Sequence, residues 1–199
     1  AQRLLPEPGC LRHTAAMLRR VLATAIGMAV VLVQPVLARQ DDPRLDMLFD
    51  TLQRTANVKL SERVEREIWA IWTDVGDGAL DALMQRGIYA MSTRDYVVAL
   101  AAFNSLVEQA PNFAEGWNKR ATLYWLMGDF DASVADIDAT LALEPRHFGA
   151  LSGLAMIRIS QDRPSDALHA LERLLHWHPK SPSAKARAKA LEDKLGKGI

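Results

Sequence analysis

The chain has 199 residues, of which 49% are hydrophobic and 24% are charged. This composition is typical of a folded globular protein with one sizeable domain, and it excludes a disordered or membrane-embedded chain. Lysine plus arginine equals aspartate plus glutamate, so the charge balance does not indicate nucleic-acid binding, and the single cysteine, Cys10, excludes an intramolecular disulfide.

Residues 1–38 have the layout of a secretory signal. The basic pair Arg19-Arg20 precedes an apolar run at 21–33, and a V-x-A cleavage site ends at Ala38. We expect cleavage after Ala38, export to the bacterial periplasm, and a natural start at Met17. The alternative is an uncleaved membrane anchor, although the run is short for a helix that spans a bilayer. A lipoprotein is disfavoured because no cysteine follows the run.

Residues 39–76 are predicted to form a polar lead-in that ends at Pro43, followed by a pair of amphipathic helices. Apolar residues recur at helical spacing in both helices. They are Leu45, Leu48, Phe49 and Leu52 in the first helix and Val64, Ile68, Ile71 and Trp72 in the second. The pair has the length of the units that follow but lacks their small residues and their closing proline. We therefore interpret it as a degenerate N-terminal unit.

Three further helix pairs are predicted at about 80–111, 114–145 and 148–179. Each ends at a proline, and the interval is 34 residues in both steps. Small residues keep the same phase, which lets paired helices approach closely. They are Gly87, Ala121 and Ala155 in the first helices and Ala99, Ser133 and Ala167 in the second. Asp77 and Asp129 are predicted N-caps, and Asn112 with Glu115 is predicted to form a capping box.

One more helix is predicted over 182–199, beginning at Ser181-Pro182. Ala184, Ala188 and Leu191 give it an apolar contact face, and lysine and arginine occupy its outer face. A final helix that is apolar inside and charged outside is how a stack of helical repeats closes.

A 34-residue period, with small residues at helix crossings and a closing proline, resembles the tetratricopeptide repeat (TPR). The resemblance covers Leu80–Pro179 firmly and Leu45–Gly196 loosely. It implies an all-α fold, a right-handed superhelix of antiparallel helix pairs that forms a TPR-like solenoid with a C-terminal capping helix. In this family the first helices line a concave groove that binds peptides or partner segments.

Counting along the first helices predicts ten groove residues. They are Met84, Ile88, Met91, Asn118, Lys119, Thr122, Trp125, Ser152, Met156 and Ile159. A methionine-rich lining adapts to varied apolar partners. The alternative is that the N-terminal helices or a neighbouring turn of the superhelix cover this lining. One subclass of the family clamps a C-terminal carboxylate, but the matching positions are incomplete here, so recognition of an acidic chain end is not predicted.

No pattern of catalytic or metal-binding residues is found. His169 and His176 lie on one predicted helix face without a converging third ligand, and we expect them and His178 to be exposed on the outer surface. Loop solvation or helix capping accounts for His147. No G-x-S-x-G turn or phosphate-binding glycine loop occurs. The sequence therefore indicates no enzyme activity, cofactor or metal.

We predict a non-enzymatic scaffold or adaptor that binds a protein or peptide partner. The partner is not a nucleic acid, and a membrane is involved only if the signal stays uncleaved. The alternatives are an envelope chaperone-like or assembly factor that holds apolar client segments, and an accessory subunit of an enzyme.

Overall fold

The computed structural model describes residues 39–196, which are helical apart from short turns. A 3₁₀ turn at Arg39–Asp41 leads into nine α-helices within this part of the chain. These are α1 Arg44–Arg54, α2 Val58–Trp72, α3 Gly78–Ser92, α4 Tyr96–Gln109, α5 Ala114–Met127, α6 Phe130–Leu143, α7 Phe148–Ser160, α8 Pro164–Trp177 and α9 Pro182–Lys194. None of them is both long enough and apolar enough to cross a membrane. The predicted signal, its cleavage site and the start at Met17 lie outside the described residues.

The helices pack as antiparallel pairs in chain order. The pairs are α3 with α4, α5 with α6, and α7 with α8, and α9 packs on α8. The first helices also contact one another, α3 with α5 and α5 with α7, as a stacked solenoid requires. The described residues contain no strand. The prediction of an all-α solenoid with a C-terminal capping helix is confirmed.

Local capping explains where most helices begin. The side chains of Asp77, Asp95 and Asp129 accept hydrogen bonds from backbone N–H groups in the first turns of α3, α4 and α6. Proline occupies the first position of α8 and α9, where no backbone donor is needed. Gly128 ends α5 in the left-handed conformation, at φ 81°.

The predicted capping box between Asn112 and Glu115 is wrong. The N-cap of α5 is Phe113, which makes no side-chain cap bond, and Glu115 is buried instead of bonding back to the backbone of Asn112. The cause is a long-range partner, because the Glu115 carboxylate pairs with side chains of α5 and of the loop before α7.

The small residues in phase with the repeat lie at the helix crossings. All six are buried, and Ser133 Oγ donates a hydrogen bond to the carbonyl oxygen of Ala121 at 2.7 Å. A Cβ added to Gly87 would lie 2.4 Å from the ring of Phe103. The close approach at Gly87 is therefore to a phenylalanine of α4.

The core of the described residues divides into two clusters. One, the first-unit cluster, is formed mainly by α3 and α4 with residues such as Phe103 and Leu106, and Leu123 of α5 packs into it. The other joins the α1/α2 pair to the second and third units. The α1/α2 pair therefore packs across the repeats, with α1 against α8, instead of taking the place of a preceding unit beside α3. Its bulky aromatic residues need a large apolar surface, which Phe148 and Trp177 supply.

Candidate functional site

A cavity of about 210 Å³ lies between the first helices α5 and α7, with α6 behind it. Five of the ten predicted groove residues line it, namely Asn118, Thr122, Trp125, Ser152 and Met156. The remaining lining comes from Ala121, Ser133, Ile137, Gly149, Gly153 and Ile157. The lining combines an apolar floor with a few polar groups, which is the usual character of a binding pocket.

Two of the α7 positions that line the cavity carry no side chain. Gly149 and Gly153 are one turn apart on the same helix face, and Gly153 leaves open space between α5 and α7. A Cβ added to Gly153 would touch only Ile137, at an ordinary 3.5 Å. A Cβ added to Gly149 would lie 2.7 Å from Trp69 of α2, so the Trp69 ring already occupies the space beside that glycine.

The other five predicted groove residues lie outside the cavity. Met84 is 1% exposed in the core of the first unit, so the prediction that it lines the groove is wrong. Its flexible apolar side chain fills space between the first-unit helices and α5. Ile88 and Met91 are partly buried at the edge of that core. Ile159 is 41% exposed beyond the cavity, and the Lys119 ammonium is paired with Glu115.

The α1/α2 hairpin covers one end of the groove. The Trp69 ring makes edge contacts with His147 at 5.6 Å and Phe148 at 5.2 Å, and the ammonium of Lys119 lies 5.9 Å from its centroid. Trp72 stacks on His147 with the ring centroids 4.2 Å apart. The alternative of self-burial thus applies to the N-terminal ends of α5 and α7, while the cavity beyond them stays open.

A buried charge network lies beneath these rings. Glu115 accepts hydrogen bonds from Asn118 Nδ2 at 2.7 Å and His147 Nε2 at 3.1 Å, and Lys119 Nζ lies 2.9 Å from its other oxygen. His147 Nδ1 accepts from the backbone N–H of Ala150, so the ring hydrogen is on Nε2 and points to Glu115. Burial alone would raise the pKa of Glu115, but the hydrogen bond from His147 and the charge of Lys119 outweigh it and lower that pKa.

Two further contacts hold the hairpin to the loops of the repeats. Arg146 pairs with Asp46 of α1 at 2.7 Å and with Glu144 at 2.8 Å, and its guanidinium lies over the Phe49 ring. His178 Nε2 lies 3.2 Å from Glu65 of α2, and this hydrogen bond lowers the pKa of Glu65. The hairpin is therefore anchored at the loop before α7 and at the loop after α8.

The histidines of the described residues divide between exposed and buried positions. His169 and His176 are exposed, as predicted. His178 was also expected on the outer surface, but it is 4% exposed, so that prediction is wrong. Of the two roles expected for His147, the structure shows helix capping at α7, and the side chain is fully buried. Within residues 39–196 no three histidine, cysteine, aspartate or glutamate side chains converge to hold a metal ion.

One groove residue was missed from the sequence. The Nη1 atom of Arg187, in α9, lies 3.5 Å from Ser152 Oγ. The repeat phase could have identified it, because Lys119, Gly153 and Arg187 are spaced 34 residues apart. Arg187 had been counted only among the basic residues on the outer face of α9.

Comparison with known proteins agrees with this architecture. A family model described as tetratricopeptide repeat matches residues 124–191. A TPR repeat-containing protein of Rhizobium etli is 35% identical over 173 residues, which is 87% of this chain and 85% of that protein.

Two solved structures also share the fold. The first TPR of Spaghetti (RPAP3), bound to an HSP90 peptide, has a TM-score of 0.56 at 19% identity and covers 59% of this chain and 95% of that one. The TPR2B domain of yeast Sti1, in complex with pHsp70, has a TM-score of 0.53 at 17% identity. The match covers 58% of this chain and 97% of that one.

Proposed function

The chain belongs to the tetratricopeptide repeat family, and we propose that it is a scaffold that binds a segment of a partner protein in the groove between α5 and α7. Proteins built from this repeat are generally protein-interaction scaffolds without enzyme activity. The observation that carries the proposal is the open cavity between two neighbouring units. Five side chains chosen from the repeat phase alone line that cavity.

Exposed apolar side chains extend this surface beyond the cavity. Trp125 is 36% exposed and Ile159 is 41% exposed, and with Met91 they are spaced 34 residues apart along the stacked first helices. An apolar row in register across three units suits an extended segment that crosses the repeats. The two solved structures named above hold peptides of other proteins, which supports a segment as the kind of ligand this architecture accepts.

We place this binding in the bacterial periplasm because residues 1–38 have the layout of a secretory signal. A second candidate is a chaperone-like factor of the cell envelope. The exposed apolar side chains of Trp125, Leu126, Met127 and Ile159 favour it, since such a surface also suits transient contacts with many clients. Crosslinking in intact cells, followed by identification of the attached proteins, separates the two candidates. One stoichiometric partner supports the scaffold, and many substoichiometric clients support the chaperone.

Trp125→Ala tests the groove itself. Because Trp125 is partly exposed and lines the cavity, the variant should lose most crosslinked partner while its melting temperature stays close to that of the parent protein. Val97→Ala is the matched control, because Val97 is an exposed apolar residue of α4, outside the groove. If Trp125→Ala keeps its partner and melts at a lower temperature, Trp125 is a packing residue and the groove proposal fails.

A further inference from the structure

The cavity has the size of one side chain. Its volume is about 210 Å³, whereas pockets for drug-sized ligands occupy about 300–1,000 Å³. An apolar cavity of about 150 Å³ in another protein holds benzene. The apolar floor formed by Ala121, Ile137 and Ile157 thus has room for one leucine, methionine or phenylalanine side chain.

The two cations in phase with the repeat differ in what they contact. Lys119 is partnered inside the chain, because its ammonium pairs with Glu115 and lies under the Trp69 ring. Arg187 contacts the hydroxyl of Ser152, and none of the ion pairs between residues 39 and 196 includes its guanidinium. Arg187 is only partly buried, so its charge is available to a ligand.

Ser152 connects the two features, since it lines the cavity and also contacts Arg187. A segment with a side chain in the cavity therefore passes Arg187 within one or two residues. An acidic side chain at that place would find a guanidinium that prefers carboxylate partners.

From these contacts we propose that the cavity selects a partner segment with one large apolar residue beside an aspartate or glutamate, which pairs with Arg187. This inference rests on the proposed scaffold function and specifies the chemistry of its partner. The acidic group is an internal side chain held at α9, since Lys119 is already neutralised by Glu115.

The test is a selection of random twelve-residue peptides displayed on phage against the full chain. The selected peptides are then synthesised with a fluorescent label, and their binding is measured by anisotropy. The expected consensus has a large apolar residue within two positions of an acidic one. Replacing the acidic residue by its amide should weaken binding to the parent protein about three- to tenfold. The same change should have no effect on binding to Arg187→Gln.

Two further variants make the result specific. The Cβ of Gly153→Leu would contact only Ile137, at an ordinary 3.5 Å, and the rest of the side chain would occupy the cavity, so the variant should remain folded by circular dichroism and lose binding about tenfold or more. Lys185→Gln is the charge-matched control, because Lys185 is exposed on the same helix, and it should bind like the parent protein.

The outcomes separate this inference from the scaffold function. Peptides that bind through the cavity with no acidic preference, or with the same preference in Arg187→Gln, overturn the inference and leave the scaffold function in place. If no peptide is selected, or if Gly153→Leu binds as the parent does, the groove is not a peptide site and both fail.

Discussion

Replacing Trp72 by alanine should detach the α1/α2 hairpin from the repeats. Trp72 is 2% exposed, and its ring lies 4.2 Å from His147, 4.8 Å from Phe148 and 5.8 Å from Phe49 between centroids. Truncating a buried tryptophan to alanine costs about 3–5 kcal/mol of stability, of which each aromatic pair accounts for about 0.5–1.5 kcal/mol. We therefore expect Trp72→Ala to lower the free energy of unfolding by about 3–5 kcal/mol.

Urea denaturation followed by circular dichroism measures this loss, and amide hydrogen exchange locates it. In a stack of repeats, stability is close to a sum of units and interfaces. Exchange should accelerate most in residues 44–72 and least in 78–109, whose core is the separate first-unit cluster. Trp72→Phe keeps a ring against His147 and should cost clearly less.

Two results would refute this reasoning. One is a loss from Trp72→Ala no larger than that from the partly exposed Trp125→Ala. The other is faster exchange spread evenly over α1 to α9. Either result would mean that the hairpin is not held to the third unit through Trp72.

Two further changes test the packing of the repeats. Gly87→Ala places a Cβ 2.4 Å from the Phe103 ring, so overpacking of about 1–3 kcal/mol should exceed the gain in helix propensity of about 1 kcal/mol. The control Gly78→Ala has open space around the new Cβ and should melt at or above the temperature of the parent protein. Equal melting temperatures for the two variants would contradict the close helix crossing at Gly87. Because the folded state lowers the pKa of Glu115, this carboxylate adds stability above its ordinary pKa and loses it as pH falls through the folded value. Glu115→Gln should therefore lower the free energy of unfolding by about 1–3 kcal/mol at neutral pH. Urea denaturation should show that the gap in unfolding free energy between the variant and the parent protein narrows below about pH 4. A gap of the same size at pH 7 and pH 3 would contradict this role of Glu115.

The local features of the repeat could be predicted from the sequence. The 34-residue phase identified the helix pairs and the buried small residues, because helix packing repeats the same contacts in every unit. Asp77, Asp129 and Pro182 marked helix starts, since a cap depends only on neighbouring backbone groups. The same phase placed Asn118, Thr122 and Ser152 on one surface.

Contacts between distant parts of the chain were decided by the tertiary structure alone. Glu65 meets His178 and Asp46 meets Arg146 across more than 90 residues, and no periodicity marks such pairs. For the same reason, the burial of His147 and Glu115 could not be predicted. The aromatic residues of the α1/α2 hairpin pack against Phe148 and Trp177 of the third unit. The amphipathic pattern indicates that a helix has an apolar face. Only the folded chain determines which surface that face covers.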